Sequence, residues 1–281
     1  MTAGERRTKG VPAWAVTAVL AAVGWLVAFP FVWMVRTSFM PLHDAMQFPP
    51  IWVPQEVTLR NYVRALEVLP FGRFIFNSLV VASAVTVGHM VTASMSAYAF
   101  ARLRFPGRDA LFLGYLGTIM VPGHVTFVPL FLIMKTFNWI DQYPALIVPQ
   151  LTSAYLTFLL RQFFLTIPRE LEDAAKIDGA GYFRTFRSVF VPLSGPALAA
   201  VAIFSFIGSW NSFLWPLIVT NSHEMMTIPV GLSTLSREQG STVDYAVIMA
   251  GGVMGLLPIF VVFTALQRYF VEGVTMTGLK G

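Results

Sequence analysis

The 281-residue sequence contains no cysteine, which excludes disulfides and thiolate metal sites. Charge is scarce too: Asp, Glu, Lys and Arg make up 12% of the residues against about 25% in soluble domains. No G-x-x-x-x-G-K-[ST] phosphate loop occurs anywhere, so a nucleotide hydrolase of that kind is excluded. His223-Glu224 is followed by Met225, Met226 and Thr227, which rules out an H-E-x-x-H zinc site. There is no G-x-S-x-G elbow, and the apolar runs hold no paired carboxylates for acid–base work or proton relay. Catalytic and metal residues are therefore expected to be none. Internal repeats and low-complexity linkers are missing as well.

What the chain has is apolar length: 56% of residues are hydrophobic, and mean hydropathy is +0.67. Runs without Asp, Glu, Lys or Arg cover 10–35, 74–101, 110–134, 142–160, 188–223 and 245–267. A helix needs about 20 apolar residues to cross a bilayer, so an all-α integral membrane protein with six transmembrane helices is expected. The first run exceeds the core of about 7–15 residues of a signal peptide and has no small-x-small cleavage site, so it reads as a retained span. With the N-terminus in the cytoplasm, only Arg36, Arg60, Arg64, Arg73, Lys135 and Arg237 of the 19 Lys and Arg fall outside. The positive-inside rule then places both termini in the cytoplasm. The same asymmetry accounts for the net charge of +5 and pI near 9.7 through contact with the lipid bilayer, without nucleic acid.

The chain divides into a cytoplasmic N-terminus (1–13), a first span with its external segment (14–72), a five-helix core (73–270) and a cytoplasmic tail (271–281). Within the external segment Thr58 caps a helix whose Leu59, Tyr62, Val63, Leu66 and Leu69 form one stripe, expected to lie on the membrane surface and either pack on the spans or help dock an external partner. In the second span Gly88, Ala93, Ala97 and Ala101 favour close helix approach, as do Gly251, Gly252 and Gly255 in the sixth. Pro122, Pro129 and Pro149 interrupt the third and fourth spans, as packing kinks or as the broken helices of a transport path.

Polar residues inside the runs mark a candidate substrate path. His89 and His124 are either functional ionisable groups or neutral imidazoles bonded to neighbouring helices. Trp210 and Asn211 either meet a polar solute through a ring face and a carboxamide or join helices by hydrogen bonds.

Charge returns between the fourth and fifth runs, in a cytoplasmic loop over 161–192. Pro168 suits a helix start and Glu170 and Glu172 favour its N-terminal end, so a short helix should run to about Ile177. Asp178-Gly179 is a turn signal, after which Phe183, Phe186 and Phe190 mark a second short helix over 182–191, stopped before Pro192. This helix-turn-helix is built to lie in a groove of another protein or, more plainly, to pin two spans together. In the first case Glu172, Asp178 and Arg187 form its charged fringe.

Asp173-Ala174-Ala175, three residues and then Gly179 resembles the cytoplasmic coupling loop of ABC importer permeases, written Glu-Ala-Ala, three residues, Gly, with Asp173 where Glu is common. The longer string EDAAKIDGA over 172–180, with Pro192 beyond it, carries the resemblance further. AYAFAR over 97–102 with the turn Phe105-Pro106-Gly107-Arg108, the string over 210–217 and the tail ending in Gly278-Leu279-Lys280-Gly281 resemble the maltose-type carbohydrate group. The resemblance implies the type I ABC importer permease fold and one transmembrane subunit of a carbohydrate importer in a bacterial cytoplasmic membrane. Implied partners are a second permease, two ATPase subunits and an extracytoplasmic solute-binding protein. ATP and Mg would be bound in the ATPases, with no cofactor on this chain. Glu172, Asp173, Ala174, Ala175, Asp178, Gly179 and Ala180 would couple to the ATPases, and Lys280 and Gly281 would touch them. Another polar solute, such as a glycerol phosphate derivative, and an ion-coupled secondary transporter are the alternatives.

Overall fold

The computed structural model describes residues 12–54, 56–68, 70–238 and 244–278, and every regular element among them is helical. Helix α1 (Ala13–Ser38) is followed by two short helices, α2 (Leu42–Ala45) and α3 (Arg60–Val68), and by the long α4 (Phe71–Arg102). Next come α5 (Arg108–Gly117), α6 (Phe127–Thr136), α7 (Tyr143–Ile147), α8 (Ala154–Thr166) and α9 (Arg169–Ile177). The chain then runs through α10 (Tyr182–Thr185), α11 (Val191–Leu193), α12 (Gly195–Trp210), α13 (Leu214–Val219), α14 (Ile228–Glu238) and α15 (Tyr245–Gly278).

Three helices, α1, α4 and the 245–265 part of α15, are each long and apolar enough to cross a bilayer. Six crossings result when each bent pair forms one span: 108–120 with 123–136 at 91°, 143–150 with 154–166 at 42°, and 182–193 with 195–210 at 81°. The first break falls where Val121, ahead of Pro122, is extended at ψ 115, as a residue preceding proline tends to be. In the second, Ser153 ends the irregular stretch and its hydroxyl accepts from the Leu156 amide at 3.3 Å, capping α8.

The fifth span departs from expectation. The second loop helix does not stop before Pro192; it continues through a π-helical turn over Phe186–Phe190 into α11. The Ser194 hydroxyl donates to the Phe190 carbonyl at 2.7 Å, and the chain then bends by 81° into α12. A proline removes one donor and crowds the turn before it, and the wider π turn lies directly upstream. Above α12 the span is interrupted again at 211–213 before α13.

Helix α4 takes part in all three core clusters. At one end Phe71 and Phe74 pack with Phe206, Trp210 and Val230; midway Val81 and Val85 meet Leu146, Trp215 and Val219; at the other end Ala93, Ala97 and Ala101 face Leu160, Phe164 and Phe190. Close approach is required where expected: a Cβ on Gly88 would meet Leu151 Cδ2 at 2.4 Å, and one on Gly251 would meet Leu232 at 2.8 Å. Gly231, which sequence patterning did not single out, sits against the Phe74 ring, with a Cβ placed 2.2 Å from it.

The Thr58 hydroxyl does accept from the Arg60 amide, at 3.1 Å, but α3 packs through its other face. Its buried residues are Asn61, which donates to the carbonyls of Ser38 and Met40 at 2.8 Å each, and Ala65. Leu59, Val63 and Leu66 of the stripe are exposed, so packing of the stripe at the end of the first span is corrected for these and holds for Tyr62, whose hydroxyl lies 2.7 Å from that of Ser38 and whose ring lies 5.3 Å from that of Phe39; Leu69 lies outside the described residues. Arg64 pairs with the buried Asp244 at 2.9 Å, and Asp244 in turn accepts from the first amides of α15.

Candidate functional site

Two places concentrate unusual features. At one end of the bundle α9 closes in a Schellman motif: the Ala180 amide donates to the Ala175 carbonyl at 2.9 Å and the Gly179 amide to that of Lys176 at 3.0 Å. Gly179 takes φ +74, the left-handed conformation this cap requires. Asp173, Ala174, Asp178 and Gly179 are exposed, Ala175 and Ala180 half-buried. The apolar side chains around them also face out, with Ile177 86% and Phe183 66% exposed alongside Leu171 and Tyr182.

Glu172 belongs to the other side of this elbow, which corrects its placement in the charged fringe. It is buried, with Lys176 Nζ 2.9 Å from one carboxylate oxygen and Arg102 3.9 Å from the other. Its hydrogen bond holds the Lys176 ammonium above its ordinary range. Asp178 and Arg187 remain in the fringe, and the exposed Asp173 and Arg184 join them.

Arg102, the last residue of α4, is one residue whose role sequence reasoning missed. Beyond Glu172, its guanidinium donates to the carbonyls of Phe164 and Ile167 at the end of α8 and lies 5.0 Å from the Phe190 ring centroid. One cation thus joins the ends of α4 and α8, the start of α9 and the π turn. Read as sequence, it was one more basic residue at a span end. The only clue available was its place directly after the AYAFA string.

The second place is a cavity of about 440 Å³, lined by Gly123, His124, Thr126, Phe127 and Leu130, by Pro149 and Gln150, and by Ser212, Phe213, Leu214 and Trp215. These segments are the interruptions of the third, fourth and fifth spans, so three helix breaks converge on one recess. The free backbone that such breaks create is tolerated where it lines a cavity. Trp215 is fixed by its indole donating to the Ala145 carbonyl at 2.9 Å, and its ring lies 5.7 Å from that of Phe127. His124 is 5.3 Å from Phe127, ring to ring.

Of the candidate path residues, His124 alone lines this cavity. His89 instead shares a 2.7 Å hydrogen bond with Ser205 of α12. Trp210 is 3% exposed, donates to the Gly255 carbonyl at 3.2 Å and stacks on Phe206, so it joins helices. Asn211 is exposed and ends α12, its amide bonded to Ile207. Gln150 went unnoticed because a residue after an in-span proline carries no periodic signal. Lys280 and Gly281 lie outside the described residues.

Beyond the cavity, the far end is fastened by polar clips. The Asp141 carboxylate accepts from the amides of Asn221 and Ser222 at 2.8 and 3.0 Å. Asn77 donates to the carbonyls of Glu224 and Met226 and accepts from Tyr143 at 2.7 Å.

Residues 21–276 match the family model described as binding-protein-dependent transport system inner membrane component. The arabinooligosaccharides transport system permease protein AraQ of Halalkalibacterium halodurans is 35% identical over 99% of this chain and 100% of its own length. The sn-glycerol-3-phosphate transport system permease protein UgpE of Agrobacterium fabrum is 36% identical over 90% of this chain and 92% of its own. Among solved structures, a chain of a bacterial ABC transporter involved in the import of alginate superposes with TM-score 0.81 at 21% identity, over 96% of this chain and 100% of that one.

Proposed function

Because this chain belongs to the family of binding-protein-dependent transport system inner membrane components, we propose that it is the membrane permease of an ATP-driven importer that carries a neutral oligosaccharide across a bacterial cytoplasmic membrane. The observation that carries the coupling role is the two-sided elbow of α9. Glu172 is tied inward to Arg102 and Lys176, while Ile177, Tyr182 and Phe183 stand exposed beside Asp173 and Asp178, an apolar patch with a charged rim suited to a partner groove.

In this reading the elbow, both termini and the tail with Lys280 and Gly281 face the cytoplasm. Two ATPase subunits, which bind ATP and Mg, dock on the elbows of this chain and a second permease. A solute-binding protein delivers the sugar from outside. Closure of the ATPases pushes α9, and Arg102 passes the displacement to α4 and α8, so the cavity faces alternately outward and inward as a rigid-body switch. The domain divisions at 13, 72 and 270 follow the same scheme.

The cavity favours a neutral sugar over a glycerol phosphate. Its wall offers the rings of Phe127, Phe213 and Trp215 with hydroxyl, amide and imidazole groups from Thr126, Ser212, Gln150 and His124, and no Lys or Arg among the described residues. Aromatic faces cover apolar sugar faces, whereas a phosphate ester calls for a fixed cation.

Co-purification through a tag on this chain, followed by reconstitution with the binding protein, tests both parts. A second permease and an ATPase are expected, with ATP-dependent uptake of neutral oligosaccharides exceeding that of sn-glycerol 3-phosphate. A chain recovered alone, or uptake abolished by dissipating the ion gradient with ATP intact, overturns the coupling role; preference for the phosphate ester overturns the substrate class.

A further inference from the structure

Beside the elbow, between the α4–α5 turn and the start of α9, lies a second recess of about 550 Å³ whose wall is mostly polar. We propose that it binds the phosphate of an anionic phospholipid headgroup. Arg104, Arg108 and Arg169 all line it. The one acid on the wall, Asp109, is taken by Arg108 at 2.8 Å, and Arg108 also donates to the Leu103 carbonyl at 3.3 Å. Arg104 and Arg169 have no carboxylate within ion-pair distance among the described residues. Two exposed guanidiniums without a carboxylate partner thus line the same hollow, and a planar guanidinium fork matches phosphate oxygens.

The backbone adds to the same preference. Gly107, at φ +77, begins α5 without any side-chain cap; the Arg108 amide is taken by the Phe105 carbonyl at 3.4 Å, which leaves the amides of Asp109 and Ala110, both on the wall of the recess, without intrahelical acceptors. A lipid suits the place better than a free phosphate. Leu111 and Leu113 stand exposed on opposite sides of α5, which opens a bent helix pair apolar enough to cross a bilayer, so either side offers acyl chains an apolar surface below a bound headgroup. The site is independent of the transported solute, and because Arg169 opens α9, an occupied recess holds the root of the coupling helix against the bilayer.

The experiment uses the intact transporter complex, exchanged into phosphatidylcholine vesicles containing a minor fraction of phosphatidylglycerol, with retained lipid quantified after detergent extraction. Wild type is expected to retain phosphatidylglycerol in preference to phosphatidylcholine. Arg104→Gln/Arg169→Gln should lower that retention on the order of thirtyfold, the scale for removing two juxtamembrane cations. Arg104→Lys/Arg169→Lys, which keeps the charge and loses the forks, should fall between. Either single Gln variant serves if the double variant fails to assemble. Unchanged retention in an assembled Gln variant overturns the site. Displacement of the lipid by millimolar inorganic phosphate overturns the lipid as its occupant.

Discussion

Gly179 and Arg102 carry the elbow, and their removal should act differently. A Cβ at Gly179 meets nothing within 4 Å, so Gly179→Ala suffers only the left-handed φ, a cost of about 1 kcal/mol. Gly179→Asp adds a carboxylate beside Asp178 on the exposed face. The alanine variant is expected to transport at reduced rate with its ATPase still bound, and the aspartate variant to lose both uptake and co-purified ATPase. For Arg102→Gln the buried Glu172 loses a partner and two carbonyls lose their donor, a destabilisation of about 3 kcal/mol. Thermal unfolding of the complex should show this, with Arg102→Gln/Glu172→Gln recovering part of it, as expected for residues in contact. Gly179 was legible in the sequence because a glycine after a charged helix has one common use. Arg102 was not, since its worth depends on three segments distant in the chain.

At the scale of elements, helix contacts depend on missing side chains and on clips. Gly231→Ala would drive a Cβ into the Phe74 ring and should destabilise the α4–α14 packing by about 1–3 kcal/mol, read as a lowered midpoint of thermal unfolding. The Asp141 clip has a pH signature. Burial pushes its carboxyl up, but the amides of Ser222 and Asn221 outweigh this and hold it below its ordinary range. A depressed carboxyl stabilises above its unfolded value and loses that contribution as pH falls through the folded one, so the clip is complete at neutral pH and weakens only in acid. Asp141→Asn should remove this acid dependence from the unfolding midpoint while lowering stability at neutral pH. The α3 stripe shows the limit of periodicity: Leu59, Val63 and Leu66 have helical spacing, yet buried polar bonds from Asn61 decide which face turns inward. Spacing reveals that a helix has a side, while its partners choose the direction.

Across the whole molecule, composition made the six crossings legible, and the prolines marked two of the three bent ones. The convergence of breaks was not legible, because residues 123–130, 149–150 and 212–215 become neighbours only through packing on α4. If that recess receives the sugar, Phe213→Ala should raise the substrate concentration for half-maximal uptake about tenfold, on the scale of one lost aromatic face, while the ATPase remains bound. An unchanged uptake curve would remove Phe213 from the path.

The π-helical turn over Phe186–Phe190 has a consequence for the chain as a shaft. Such a turn holds one residue more than the α-helix around it, and each residue of an α-helix advances the azimuth by roughly 100°. Deleting Ser188 would let the turn relax to ordinary α-helix with α10 and α11 kept in phase, because the wide turn takes up its extra residue within one revolution; a deletion that the turn did not absorb would rotate them by about that angle. Every side chain named at the elbow would then keep its aim; the wide turn is where this helix can gain or lose a residue without passing a rotation along to either end.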